Sequence, residues 1–320
     1  MEPCVRYWRS QEGQTFLQRF LHWVDVLDPS VLLASKGEIE NSRLVLDSLG
    51  EPGRDFTQDK KVKEAWKLNL SSVHPDTGKI IPLVFRPPAL LPVATPVVVA
   101  TLLPHQKTVH ALIWQFFFHI YSAGFNLANG NSMSQEKNVP LKQAVFCIGA
   151  ISYGAFVGSF PQFLANRYNL KTSALQTFVK KLLPVPLFTF LSVFNLAVVR
   201  AVEAENGIQV VDKHGNVVGV SKKAGDKAIK ETAISRAALI GTSGLVPGLL
   251  THVLQRMQFI QRNAFIVAPV RHITVAVTFG VMIPVSFSLF PRIGTILRTD
   301  LEEEIQSCTE ETELFYNRGL

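Results

Sequence analysis

The 320-residue sequence predicts an all-α polytopic membrane protein with about five transmembrane helices, an N-terminal amphipathic helical region and a small hairpin insert, and three observations carry that reading. Hydrophobic residues make up 47 % of the chain and charged residues only 18 %, against about 25 % charged in an ordinary soluble domain. Five stretches, 111–129, 143–165, 182–199, 237–255 and 270–290, are mainly apolar and approach the ~20 residues a helix needs to cross hydrocarbon. Outside them, apolar residues recur at the three-and-four spacing of amphipathic helices.

Residues 1–82 form the N-terminal helical region. The opening stretch lacks the apolar run of a secretory signal, and Glu2, Glu12 and Asp25 argue against an acid-poor transit peptide. An organellar address would therefore be internal. Phe16, Phe20, Trp23, Val24 and Leu27 share one face of a first helix, a face that suits packing on the protein's own body better than lying on a membrane surface. Asp28-Pro29 ends that helix. Ser35 and Glu38 have capping-box spacing for a second helix through about Ser48, and "DKKVKEAWKLNLSS" gives a third with Val62, Ala65, Trp66 and Leu70 to bury.

Residues 83–290 form the membrane domain, whose partner is the lipid bilayer. The segment 87–104 is uncharged but holds five prolines, which suits a re-entrant or interfacial piece. The polar insert 200–236 has two Val-rich runs around Asp212–Asn216, a hairpin signal, followed by an amphipathic helix entering the next span. Residues 291–320 are a C-terminal tail. Five spans put the two ends of the chain on opposite faces.

Within the first span, Gln115, His119, Ser122, Asn126 and Asn129 are spaced 4, 3, 4 and 3, so five hydrogen-bonding side chains share one helical face. Two readings stand side by side: hydrogen bonds between helices, or the lining of a polar substrate path. His119 suits a neutral donor to a neighbouring helix or a proton relay. Ala150, Gly154 and Gly158 form a small-residue ridge that lets another helix come close, while Pro184, Pro186, Pro247 and Pro284 free carbonyls inside spans. Cys4, Cys147 and Cys308 are scattered, so the spacing offers no metal site, no disulfide framework and no cluster-ligand set, and no cofactor is expected. Phosphate-loop, zinc-protease and nucleophile-elbow motifs are absent, so an enzyme is not expected. The net charge of +7 comes without a basic block, so no nucleic acid is expected as a partner.

"HPDTG", residues His74, Pro75, Asp76, Thr77 and Gly78, reads as a turn that ends the third helix: Pro75 fixes φ, Asp76 and Thr77 bond locally, and Gly78 supplies a left-handed residue. No second His or Cys lies nearby to complete a metal shell.

"VHPDTG", the striped span ending "GFNLANGN", the insert "GIQVVDKHGNVVGVSKKAGDKAI", then "LFPRIG" and "ELFYNRGL" follow in an order that resembles the sideroflexin family along essentially the whole chain. "RFLHWVDVLDP", "IENSR", "IIPLVFRP" and "VSFSLFP" resemble its divergent fourth branch most. The resemblance implies a multi-pass protein of the mitochondrial inner membrane, with the N-terminal region in the matrix and the tail in the intermembrane space. It implies small amino acids such as serine as cargo in the transporting members. In the divergent branch it implies partners among complex I assembly factors, with roles in iron–sulfur cluster biogenesis and iron homeostasis. The transporting members carry an Asn-Gln pair just upstream of a Ser-Phe-Asn; here "IYSAGFN" keeps Asn126 and lacks the pair, so support of assembly is expected ahead of serine transport.

Overall fold

The computed structural model describes residues 14–48, 60–103, 105–131, 141–167, 178–254, 256 and 264–320; Cys4 and the C-terminal end of the 87–104 segment lie outside them. Three helices open it: α1 (Phe16–Val26), α2 (Lys36–Ser48) and α3 (Lys60–Ser72). Thr15 and Gln18 form a capping box for α1, and Ser35 and Glu38 form the expected one for α2. The Val62, Ala65, Trp66 and Leu70 side chains of α3 are buried, as their spacing predicts.

The apolar face of α1 is rotated from the expected one. Trp23 and Val26 are buried while Phe16 and Val24 remain exposed. Arg19 sets this orientation by donating from Nε to the Ser288 carbonyl (3.0 Å), and the Trp23 ring meets Phe287 edge-on with centroids 5.0 Å apart. Such an aromatic pair adds roughly 0.5–1.5 kcal/mol beyond its area burial.

The membrane body follows as α4 (Ala94–Leu102), α5 (Thr108–Asn129), α6 (Leu141–Arg167) and α7 (Pro184–Val199), then the short α8 (Ala201–Asn206). Strands β1 (Ile208–Val211) and β2 (Val217–Ser221) form the predicted hairpin, after which come α9 (Lys222–Leu254) and α10 (Val267–Ser288). By length and composition, α6, α9 and α10 can each cross a membrane. Residues 87–102 and α7 are shorter apolar helices, and α5 has the length, at 22 residues, but carries the polar stripe. The five expected spans thus fall on α5, α6, α7, α9 and α10.

The C-terminal tail and the turn after α3 lie side by side in the fold. Asn317 Nδ2 donates to Asp76 Oδ1 (2.9 Å), and the Leu320 amide donates to the Asn129 carbonyl (3.1 Å), so the C-terminal residues sit against the turn that closes the N-terminal region. The cause is the proline-rich segment. Its residues run antiparallel to α5, with Thr101 Oγ1 on the Trp114 carbonyl (3.3 Å) at one end and Asn129 Nδ2 on the Phe85 carbonyl (2.8 Å) at the other. Helix α5 therefore starts at the far end of the body and returns.

The C-terminal tail also holds regular structure that the sequence reading missed. Strands β3 (Ile293–Leu297) and β4 (Glu313–Asn317) flank α11 (Glu303–Cys308) and extend the hairpin into a four-stranded antiparallel sheet ordered β2-β1-β4-β3. Val210, Leu314 and Tyr316 from this sheet pack with Ala224 and Ala228 of α9 and Ile305 of α11. At about 1.5 Å per residue, the 33 residues of α9 span roughly 50 Å, enough to serve the sheet with one half and the membrane body with the other. Gly294 faces Tyr316 across the β3–β4 pair, where a Cβ would run into the phenol ring.

Candidate functional site in the helical interior

The predicted stripe on α5 faces inward. Gln115, His119, Asn126 and Asn129 are buried and Ser122 is half-buried. The α6 ridge receives two of them: a Cβ on Gly154 would lie 2.6 Å from His119 Nε2, and one on Gly158 would lie 2.6 Å from Gln115 Oε1. Glycine is required there because the polar side chains occupy the space a methyl group would take. Without a hydrophobic drive between helices in lipid, such close approach is a main source of their association.

The stripe is not a ladder of hydrogen bonds. Asn129 is satisfied by the Phe85 and Phe125 carbonyls, but Gln115 Oε1 and both polar atoms of the Asn126 amide have no partner among the described residues. His119 lies against the Gly154 backbone of the neighbouring helix α6, the side on which a donation was expected, with its ring nitrogens just outside ideal hydrogen-bond geometry. On α7, Asn195 is fully buried, with both polar atoms unpaired among the described residues. Each such group forgoes roughly 1–3 kcal/mol.

Beside the stripe is a cavity of about 30 Å³ between α4, α5, α7, α9 and α10. Its polar lining is Tyr121, Ser122, Ser192 and Arg236; its apolar lining includes Phe118 and Phe279. The sequence reading missed Tyr121, Ser192, Asn195 and Arg236. Asn195 was detectable as the single amide in the apolar run "LFTFLSVFNLAVV", whereas Arg236 reads as the end of a polar insert until the fold turns it inward.

A second polar assembly closes one end of the body. Arg200 holds Glu203 through two bonds (Nε to Oε1, 2.6 Å; Nη2 to Oε2, 2.7 Å), also donates to Thr232 Oγ1 (3.1 Å), and reaches the Arg318 carbonyl (2.7 Å). Gly319 sits at φ +71° against this guanidinium, 2.9 Å from where its Cβ would be. The turn belongs to the same closure. His74 is buried, Asp76 donates its amide to Nδ1 (3.2 Å), and Nε2 therefore carries the proton that reaches the Gly130 carbonyl (2.8 Å). Burial holds the His74 imidazole below the usual histidine range. Gly78 takes φ +63° as the turn reading requires, while Thr77 Oγ1 accepts from the Lys79 amide. Among the described residues, no group of three His, Cys, Asp or Glu side chains could hold a metal ion. Cys147 is buried in α6 and Cys308 is exposed on α11.

Apolar helices packed around a buried polar interior, capped at one end by a small sheet, define a multi-pass membrane protein. The chain belongs to the sideroflexin family, whose family model, described as Sideroflexins, matches residues 6–320. It is 47 % identical to Sideroflexin-4 of Danio rerio over 100 % of both chains, and 40 % identical to Sideroflexin-4 of Homo sapiens over 100 % of this chain and 93 % of the relative. Sideroflexin-5 of Caenorhabditis elegans is 33 % identical over 96 % of this chain and 92 % of its own. No solved structure matches.

Proposed function

We propose that the protein resides in the mitochondrial inner membrane and supports assembly of respiratory complex I, and with it iron–sulfur cluster biogenesis and iron homeostasis, holding no cluster of its own. One observation supports this reading above others: the full-length similarity is greater to proteins named Sideroflexin-4, at 39–47 % identity, than to those named Sideroflexin-5, at 29–33 %. The missing Asn-Gln pair ahead of "SAGFN" points the same way. The test is rescue in mitochondria lacking the endogenous proteins. Restored complex I without restored serine uptake supports the reading; restored serine uptake with complex I still absent contradicts it.

A second reading, a carrier for serine or another small polar amino acid, is favoured by one feature: the unpaired polar groups of Gln115, His119, Asn126 and Asn195 in the interior. Uptake of labelled serine into liposomes containing the purified protein tests it directly.

A further inference from the structure

Three guanidinium groups lie buried near one another, and only two find conventional partners. Arg200 is neutralised by Glu203, and Arg318 donates to Ser235 Oγ (3.3 Å) and feels the Glu231 carboxylate. Arg236 is 8 % exposed and has no ion pair among the described residues, and its Nη2 has no hydrogen-bond partner. Its guanidinium carbon instead lies 4.9 Å from the Phe125 ring centre and 5.6 Å from that of Phe287. Ring faces attract a cation, but by less than a guanidinium loses on leaving water. Arg200 and Arg318 thus have Glu203 and Glu231 to answer them, whereas no carboxylate of the described residues lies within ion-pair distance of Arg236.

Arg236 lines the cavity, and so do three hydroxyl groups, those of Tyr121, Ser122 and Ser192. The Tyr121 hydroxyl has no partner either. A planar fork of donors beside hydroxyls, inside apolar walls, matches the geometry of a carboxylate, which accepts two parallel bonds from a guanidinium and further bonds from O–H groups. The volume, about 30 Å³, suits a group of that size. We propose that this cavity is an anion site in which Arg236 takes the carboxylate of a small solute, with Tyr121, Ser122 and Ser192 around it. The site stands on binding alone. It gives the carrier reading a recognition element without depending on transport.

Acetate is the probe, with acetamide as its neutral counterpart, and the full chain in lipid nanodiscs is the sample. The readout is acetate-dependent thermal stabilisation with gluconate as the background anion. The wild type is expected to be stabilised by acetate and unaffected by acetamide, and Arg236→Gln to weaken the response at least tenfold while Arg236→Lys keeps part of it. Ser192→Leu, which fills the cavity and leaves the arginine in place, is expected to abolish the response in a folded protein, so the outcome remains readable if Arg236→Gln does not fold. Equal responses to acetate and acetamide, an undiminished response in a folded Arg236→Gln or in Ser192→Leu, or binding seen only when the chain is extended past Leu320, so that the chain's own end is the natural occupant, would each overturn the site. Acetate binding without solute uptake would leave the site standing and remove the carrier reading.

Discussion

His74 donates from Nε2 to the carbonyl oxygen of Gly130 across 2.8 Å, joining the turn after α3 to the residue that ends α5. The bond turns a local helix stop into a tie between the N-terminal region and the membrane body. Both ring nitrogens are engaged, since Nδ1 accepts the Asp76 amide.

Gly78→Val is expected to lower steady-state protein more than His74→Gln. At φ +63° a β-branched residue pays for a left-handed conformation, roughly 1–2 kcal/mol or more, and its Cβ meets Arg43 Nη2 at 2.9 Å. Glutamine at 74 keeps polarity and approximate size. Immunoblot levels and complex I rescue for both variants check this; a tolerated Gly78→Val beside an abundant but inactive His74→Gln would make the motif a functional site.

Gly154→Leu and Gly158→Leu are expected to force α5 and α6 apart, because His119 and Gln115 fill the space those side chains would enter. Overpacking of this kind costs about 1–3 kcal/mol, and more where a polar group is the obstacle. Gly149→Leu, at a position on the same helix with nothing within 4 Å, is the control expected to behave as wild type. Thermal unfolding of the three purified variants gives the comparison.

Glu203→Gln is expected to be among the most damaging single changes at the closed end. It leaves Arg200 buried without its counter-charge, and breaking such a pair costs about 3–5 kcal/mol. Deleting residues 318–320 removes the Arg318 carbonyl and the Leu320 amide from the same assembly, so comparable loss of abundance is expected. Pulse-chase half-lives decide both.

Acid is expected to weaken the fold between about pH 6.5 and pH 4. His22 is held down from 6.5 to about 4, first by burial and then by Arg292, and His74 is lowered by burial. A folded-state value below the unfolded one means that this stability is complete above about pH 6.5 and is lost as pH falls toward the folded value, at most about 3 kcal/mol for His22. Melting temperatures at pH 7.5 and 5.0 should therefore differ more in the wild type than in His22→Gln. An equal difference in both would remove His22 from the account.

Much of the helical skeleton was legible because it rests on local signals. Caps at Ser35 and Glu38, the Asp28-Pro29 break and the four core positions of α3 are read from neighbours three or four residues apart. The inward stripe on α5 was legible for the same reason. The C-terminal strands were not: β4 pairs with β1, more than 100 residues away, and "ELFYN" alone is too short to declare itself. Nor could composition reveal the antiparallel return of residues 87–102, since four prolines argue against a helix until packing against α5 and α10 satisfies it. Arg236 stayed hidden because charge at the edge of an apolar run normally faces water.

The central claim is that the helices of residues 16–72 and the C-terminal tail close one face of the membrane body. Single-cysteine variants, made by removing Cys4 and Cys147 and, for the introduced sites, Cys308 as well, reconstituted in vesicles of one orientation and treated with a membrane-impermeant maleimide, test it most directly. The native Cys308 on α11 and a Glu40→Cys on α2 are both exposed, and an Arg167→Cys sits at the far end of α6. The account predicts that Cys308 and the residue-40 cysteine are labelled from the same side and the residue-167 cysteine from the other. Labelling of positions 40 and 308 from opposite sides would contradict it.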